Sequence, residues 1–218
     1  MKITDKYDVI VVGGGAAGIG AGIGAAQAGA KTLLVESGPS LGGAATQKNV
    51  LTYCGLYTQS TPSRQAIGGV AEKVLANLRN MGGIRTPVRL GEPSNTVIAL
   101  IDPEATKVAL DNVIQVEGLD LLLHTMLISA SRLENNIQSV TLFDDNGPHK
   151  VEGRFFVDAS GEGDLAAFGG ASIRYGNHGK VQEGNLLFAL AELSRALIFQ
   201  PNVGLKQSNK PNNPGILF

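Results

Sequence analysis

Residues 7–12, Tyr-Asp-Val-Ile-Val-Val, form a mostly apolar, β-branched run that ends too soon for a helix. It suits a strand buried on both faces of a parallel sheet. Gly13-Gly14-Gly15-Ala16-Ala17-Gly18 follows as a G-x-G-x-x-G turn, and residues 16–28 predict an alanine-rich helix with Gly29 placed at its C-terminal cap. Residues 31–35 predict a second strand that ends at Glu36. Residues 62–81 predict an amphipathic helix with Ile67, Val70, Val74 and Leu78 on one stripe, stopping at Gly82-Gly83. Asp102 and Pro103 suit the N-cap and first position of a helix running to about Glu117, with Gly118 as the stop. Strands are then predicted over 119–125, 126–131 and 137–143. The turn Asp144-Asp145-Asn146-Gly147 leads into another, which ends at Asp158. Strand, helix and strand in this order predict an α/β fold.

The stretch from Val9 to Ala30 holds 22 residues without a charge, eight of them glycine, and so must be weighed as a membrane span or secretory signal. Gly18/Gly22 and Gly20/Gly24 would suit a membrane helix interface, and Ala26-Gln27-Ala28 mimics a cleavage site. Against both stand the acids Asp5 and Asp8 in the lead-in, the β-branched block, and three consecutive glycines in mid-span. The expectation is a soluble, cytoplasmic protein. A net charge of -1 removes the electrostatic case for nucleic acid or anionic membrane as partner. The lone Cys54 excludes a disulfide framework and a cysteine-rich metal site, and His124, His149 and His178 lack metal-ligand spacing, so no metal is expected.

The glycines carry the chemistry. In a strand–turn–helix unit Gly13 permits the tight turn, Gly15 lets the backbone approach a pyrophosphate, and Gly18 lets helix pack on strand. Helix N–H groups and the positive dipole end then face the phosphates. Glu36, 18 residues after Gly18, is placed to accept hydrogen bonds from ribose hydroxyls and to repel a 2′-phosphate. Gly20, Gly22 and Gly24 each weaken the helix, for which close backbone packing is the expected compensation. Residues 37–46 bring a second pair, Gly42-Gly43, six residues after Glu36, where Ala44 and the hydroxyl of Thr46 would also lie against an extended cofactor. A plain surface loop is the alternative for that segment.

Taken together, residues 9–18, then Glu36-Ser37, then residues 41–46 resemble the N-terminus of FAD-dependent oxidoreductases with a glutathione-reductase-type FAD domain. Ala159-Ser160-Gly161-Glu162-Gly163-Asp164 resembles that family's later glycine motif. The resemblance implies a Rossmann-like FAD/NAD(P)-binding domain with a parallel sheet and a small antiparallel β insertion. It implies FAD as cofactor, with Gly13 to Gly18 and Gly42-Gly43 at the pyrophosphate and Glu36 on the adenosine ribose. It places backbone near Leu127 at the adenine, Ser160 and Gly161 near the adenosine side, and Asp164 by the ribityl chain or phosphates. For Asp164 an N-cap role on a helix over 165–168 is also open.

No acid or base emerges from the sequence. Cys54 reads as a small buried hydrophobe, with a redox or tethering role as the alternative. Tyr53 and Tyr57 read as core residues that could also touch substrate. His124 reads as packed or hydrogen-bonded within a strand, and Arg64 and Arg174 as surface cations that could bind an anion. Residues 1–176 are expected to form the FAD domain. Residues 177–218 are expected to begin a shortened substrate domain and run into a disordered, Pro/Asn-rich tail. The implied function is oxidation of a small organic substrate by hydride transfer to flavin. A catalytically incomplete FAD-binding module and an NAD-binding dehydrogenase domain are the alternatives, and a homo-oligomer is possible.

Overall fold

A computed structural model describes residues 6–91, 94–178, 180, 181, 183 and 184. The chain divides into two units, Met1–Gln182 and Glu183–Phe218, and every element below lies in the first. The expected Pro/Asn-rich tail lies outside the described residues. In chain order the elements are β1 (Lys6–Val12), α1 (Ala16–Gln27), β2 (Thr32–Val35), α2 (Ala44–Gln47), β3 (Thr52–Cys54), α3 (Val70–Asn80), β4 (Ile84–Arg89) and β5 (Val97–Ile101). Then come α4 (Pro103–Glu117), β6 (Asp120–Leu122), β7 (Met126–Leu133), β8 (Asn136–Asp144), β9 (Gly147–Asp158) and α5 (Asp164–Phe168).

Side-chain alternation along β1 and β2 makes the core two-sided. Val11 and Leu34 point to one face, where they join Ile19 and Ile23 of α1, Val74 and Leu78 of α3, and Leu110 and Ile114 of α4. Ile10, Val12, Leu33 and Val35 point to the other and meet Val140, Leu142, Val151 and Leu165. The main sheet has six strands in the order β6-β2-β1-β9-β8-β7. β6, β2, β1 and β9 run parallel, while β8 and β7 are antiparallel. β9 links the two parts: from Glu152 to Asp158 it pairs with β1, and from Gly147 to Glu152 with β8. The Rossmann-like parallel sheet with its antiparallel insertion is the expected fold. The carboxyl ends of β1, β2, β6 and β9 lie together, at Val12, Val35, Leu122 and Asp158.

Local signals placed α4 correctly. Asp102 accepts a hydrogen bond from the Ala105 N–H at 2.8 Å, Pro103 starts the helix, and Gly118 ends it at φ +70°. The expected helix over 62–81 is shorter, since α3 starts only at Val70, behind Gly69 at φ +62°. Ile67, assigned to its apolar stripe, lies in the preceding loop and is 48% exposed. A separate three-stranded sheet, β3-β5-β4, was not anticipated. His124 does not sit in a strand: β6 stops at Leu122, and His124 is an exposed turn residue at φ +51°. Cys54 is exposed, not buried.

The helical glycines also divide. A Cβ on Gly22 would touch Leu119 and Leu34 at 3.6–3.9 Å, ordinary packing distance, whereas a Cβ on Gly20 or Gly24 would meet nothing within 4 Å. Close packing therefore requires none of the three: an alanine would fit at Gly22 and meet open space at Gly20 and Gly24, and each glycine costs α1 about 1 kcal/mol relative to alanine.

Candidate functional site

Backbone hydrogen bonds gather the three glycine segments at the carboxyl end of the parallel sheet. The Gly13 N–H donates to the Val35 carbonyl at 2.8 Å, the Ala159 N–H to Val12 at 2.8 Å, and the Gly42 N–H to Gly14 at 2.9 Å. Side-chain-free contact tightens the arrangement. A Cβ on Gly13 would lie 2.1 Å from the Ala159 carbonyl oxygen, and one on Gly18 would lie 1.7 Å from that of Gly13. A Cβ on Gly43 would stand 3.1 Å from the Gly15 Cα. The pair Gly42-Gly43 is thus packed on the first glycine turn, 27 residues or more away in sequence.

Gly15 differs from its neighbours. It is the N-cap of α1, at φ −74° and ψ −176°, with no side-chain cap, and a Cβ there would meet nothing within 4 Å. Around it the first-turn N–H groups of a 12-residue helix face an open space bordered by the 42–43 and 159–161 segments. Ala16 and Ala17 begin the helix exposed, and Ala44, also exposed, begins α2. This is a backbone-lined cradle in the crevice where open α/β sheets bind ligands.

Glu36 follows β2 directly and is 8% exposed. Its Oε2 accepts from the Gly14 N–H at 2.7 Å, and Oε1 accepts from the Gly38 N–H at 2.6 Å and the Ser37 hydroxyl at 3.2 Å. The carboxylate therefore fastens the glycine turn to the 37–38 loop, with one lone pair, on Oε2, left for a further donor. That fastening role was not foreseen. The Glu36 carbonyl accepts from the Thr125 N–H at 3.0 Å, which brings Leu127, at the start of β7, to the same end of β2. Thr46 departs from expectation. It is 7% exposed and its hydroxyl donates to the Leu41 carbonyl at 2.5 Å, so it holds the 41–46 loop closed instead of facing outward.

In the late motif, the residue that sequence reasoning passed over is Asp158. Its Oδ1 accepts from the Ser160 N–H at 3.1 Å and hydroxyl at 2.7 Å, and its Oδ2 from the Ala166 N–H at 2.8 Å. The Ser160 hydroxyl in turn accepts from the N–H groups of Gly163 and Asp164, each at 3.0 Å. Asp158 and Ser160 thus cap α5, and Asp164 is not its N-cap: it is the first helical residue, exposed, behind Gly163 in the left-handed region. Gly161 is exposed at φ +90°. An aspartate at a strand end, two residues before a serine and ahead of a helix, was the available signal.

Partial burial pushes the Asp158 carboxyl upward, but hydrogen bonds from the Ser160 hydroxyl and from the N–H groups of Ala166, Ser160 and Leu165 outweigh it. The group ionises below the ordinary aspartate value of 3.8. A depressed folded-state value adds stability that is complete above the unfolded value and disappears as pH falls through the folded one. Urea midpoints followed from about pH 5 to about pH 3 should fall more steeply for the native protein than for Asp158→Asn, so that the two converge in acid. Parallel curves would show that the Asp158 network contributes nothing.

The remaining candidates do not converge on this cradle. Cys54 lies on β3 of the small sheet, and Tyr53 beside it is half-buried. Tyr57 bridges to Gln65 in the loop before α3. Arg64 is exposed, and Arg174 donates to Asn177 at 2.5 Å. His149 is half-buried beside Asp144 at 4.0 Å, and His178 is exposed. No three His, Cys, Asp or Glu side chains among the described residues are grouped to hold a metal. No helix among them is long and apolar enough to cross a membrane.

No curated protein matches the chain. Among solved structures, the fold is similar to a geranylgeranyl bacteriochlorophyll reductase-like protein of Thermoplasma acidophilum, with a TM-score of 0.53 and 19% identity over 76% of this chain and 42% of that one. It is also similar to an L-proline dehydrogenase from P. horikoshii, with a TM-score of 0.52 and 15% identity over 79% of this chain and 58% of that one. A flavoprotein/dehydrogenase from Cytophaga hutchinsonii gives a TM-score of 0.52 and 20% identity over 76% and 42%. The chain therefore spans less than two thirds of each of these proteins, and the likeness is one of fold. Family membership rests on sequence: residues 8–214 match the family described as FAD dependent oxidoreductase. The backbone cradle fits an extended dinucleotide, the match covers nearly the whole chain, and the protein accordingly belongs to the FAD dependent oxidoreductase family, with FAD as its cofactor.

Proposed function

We propose that the protein oxidises a small organic substrate, with the FAD lying across the carboxyl ends of β2, β1 and β9. The observation that carries the proposal is the meeting of three glycine segments at one open point. Gly43 abuts Gly15, Gly13 abuts Ala159, and the place of a Gly15 side chain is open. The residues divide the work by chemistry. Gly15, Ala16, Ala17 and Gly18 present backbone N–H groups and the α1 dipole to the pyrophosphate, Gly14, whose N–H is held by Glu36, lines the turn beneath it, and Gly42, Gly43 and Ala44 close its other side. Glu36 accepts from a ribose hydroxyl, with Ser37 beside it. Backbone near Leu127 lines the adenine, in keeping with the Thr125 to Glu36 hydrogen bond. Ser160 and Gly161 border the cofactor from β9, and the exposed Asp164 carboxylate accepts from the ribityl hydroxyls. Thr46 serves through the loop it holds.

When bound, FAD supplies the hydride acceptor, and the substrate loses a hydride and a proton. The chain contributes binding, orientation and the electrostatics of α1. Residues 1–176 form the cofactor-binding part, with the substrate-facing part beginning after Gly176. The protein is placed in the cytoplasm, in keeping with a single cysteine that has no disulfide partner in its own chain.

An absorption spectrum of the purified chain, recorded before and after anaerobic addition of candidate substrates, tests the proposal. The expected result is a flavin spectrum that bleaches with a substrate. A colourless protein that takes up no FAD would overturn it. Bound flavin that no substrate bleaches would overturn the substrate-oxidation part and leave a binding module.

A further inference from the structure

Between α1, α3 and β3 lies a cavity of about 350 Å³, within the range of small-molecule sites. Ile19 and Gly20 of α1 form one wall, Val70 and Leu75 of α3 another, and Tyr53 and Cys54 of β3 a third. Ala16, at the start of α1, also borders it. No Asp, Glu, Lys, Arg or His lines it among the described residues. Among the described residues that line it, Tyr53 and Cys54 alone carry a polar side-chain group.

Gly20 adds to this space by leaving out a side chain. A glycine inside a helix is unfavourable unless close packing requires it, and here nothing lies within 4 Å of where its Cβ would be. Gly68, which also lines the cavity, has the same open surroundings. The two missing side chains leave cavity volume that alanine or leucine would take. Burial pushes the Tyr53 phenol above its ordinary value, so it stays neutral across the physiological range and adds a donor without a charge.

We propose that this cavity binds an uncharged, largely apolar small molecule, held by the Ile19, Val70 and Leu75 surfaces and oriented by one polar group at Tyr53. Calling that molecule the substrate rests on the flavoprotein reading above; its polarity and size rest on the cavity alone. A charged ligand would leave its hydration shell with no counter-charge to meet it, so ionic compounds are rejected.

Cys54 is the only cysteine of the chain and is exposed on the cavity wall, so the rate of its modification by N-ethylmaleimide reports occupancy. In the FAD-loaded full chain, the uncharged probe N-phenyl-1-naphthylamine is expected to slow modification about tenfold or more at saturation. Its anionic analogue, 8-anilinonaphthalene-1-sulfonate, should need at least about tenfold higher concentration for the same protection. Gly20→Leu should abolish protection with FAD content unchanged, while Gly24→Leu, on an exposed position of the same helix, should keep it. Equal protection by both probes, or protection that survives Gly20→Leu, overturns the proposal. Protection seen only without FAD also overturns it, because the cavity would then belong to the cofactor. A colourless protein that still shows selective protection would fail the flavoprotein reading and leave the cavity assignment standing.

Discussion

Replacing Gly13 with alanine is expected to cost about 2–6 kcal/mol of folding stability, a large part of the about 5–15 kcal/mol that holds a domain folded. Two effects add. Gly13 sits at φ +105°, where an L side chain is strained, and its Cβ would lie 2.1 Å from the Ala159 carbonyl oxygen and 2.8 Å from the Ser160 nitrogen. Both neighbours are backbone, and neither can retreat cheaply. Ala159 is tied to Val12 by a 2.8 Å hydrogen bond, one step beyond the pairing of Val12 with Asp158. Moving it would unzip β9 from β1 at the centre of the sheet. Urea denaturation followed by circular dichroism reads the effect, and a native midpoint for Gly13→Ala would show that the close approach at Ala159 is not required.

Gly15→Val should behave in the opposite way, although the two residues belong to one six-residue motif. The backbone at Gly15 is extended, a conformation that valine favours, and the space for its Cβ is open. Stability should stay within about 0.5 kcal/mol of the native protein. FAD affinity should fall at least about 100-fold, or about 2.7 kcal/mol, because the branched side chain occupies the place where backbone must approach the pyrophosphate. Flavin fluorescence titration of the refolded protein measures this. A variant that binds FAD normally would move the pyrophosphate away from Gly15, and one that fails to fold would contradict the open space seen there. The contrast between Gly13 and Gly15 separates glycine kept for the fold from glycine kept for the ligand.

The strand–turn–helix unit and α4 were legible because their determinants lie within a few residues. Asp102 reaches only to Ala105, and Gly118 ends its own helix. Glu36, Gly42-Gly43 and the 159–164 segment were legible as motifs, but what each one touches was not. The small sheet escaped notice because its pairing joins Thr52 to Leu100 and Ile84 to Ile101, a matter of register between distant segments. Pro87 in β4 also reads as an interruption in sequence, and the structure accommodates it by placing β4 at the sheet edge. The helix expected over 62–81 was overextended because apolar spacing was weighed above Gly68-Gly69, and the left-handed Gly69 is where the helix begins.

Sequence by itself determined the fold class and a dinucleotide site, because glycine, a strand and a spaced acid encode that backbone chemistry locally, and the resemblance of its three glycine motifs pointed to FAD and the family. Tertiary structure decided the role of each glycine. The side-chain place at Gly13 is taken by Ala159 and that at Gly43 by Gly15, while Gly15 and Gly20 open onto empty space. It also decided that Asp158 caps α5 and that Thr46 turns inward. The physical reason is that a missing side chain looks the same in sequence whether a neighbouring backbone, a cofactor or a substrate fills its place. Only the surrounding atoms distinguish the three.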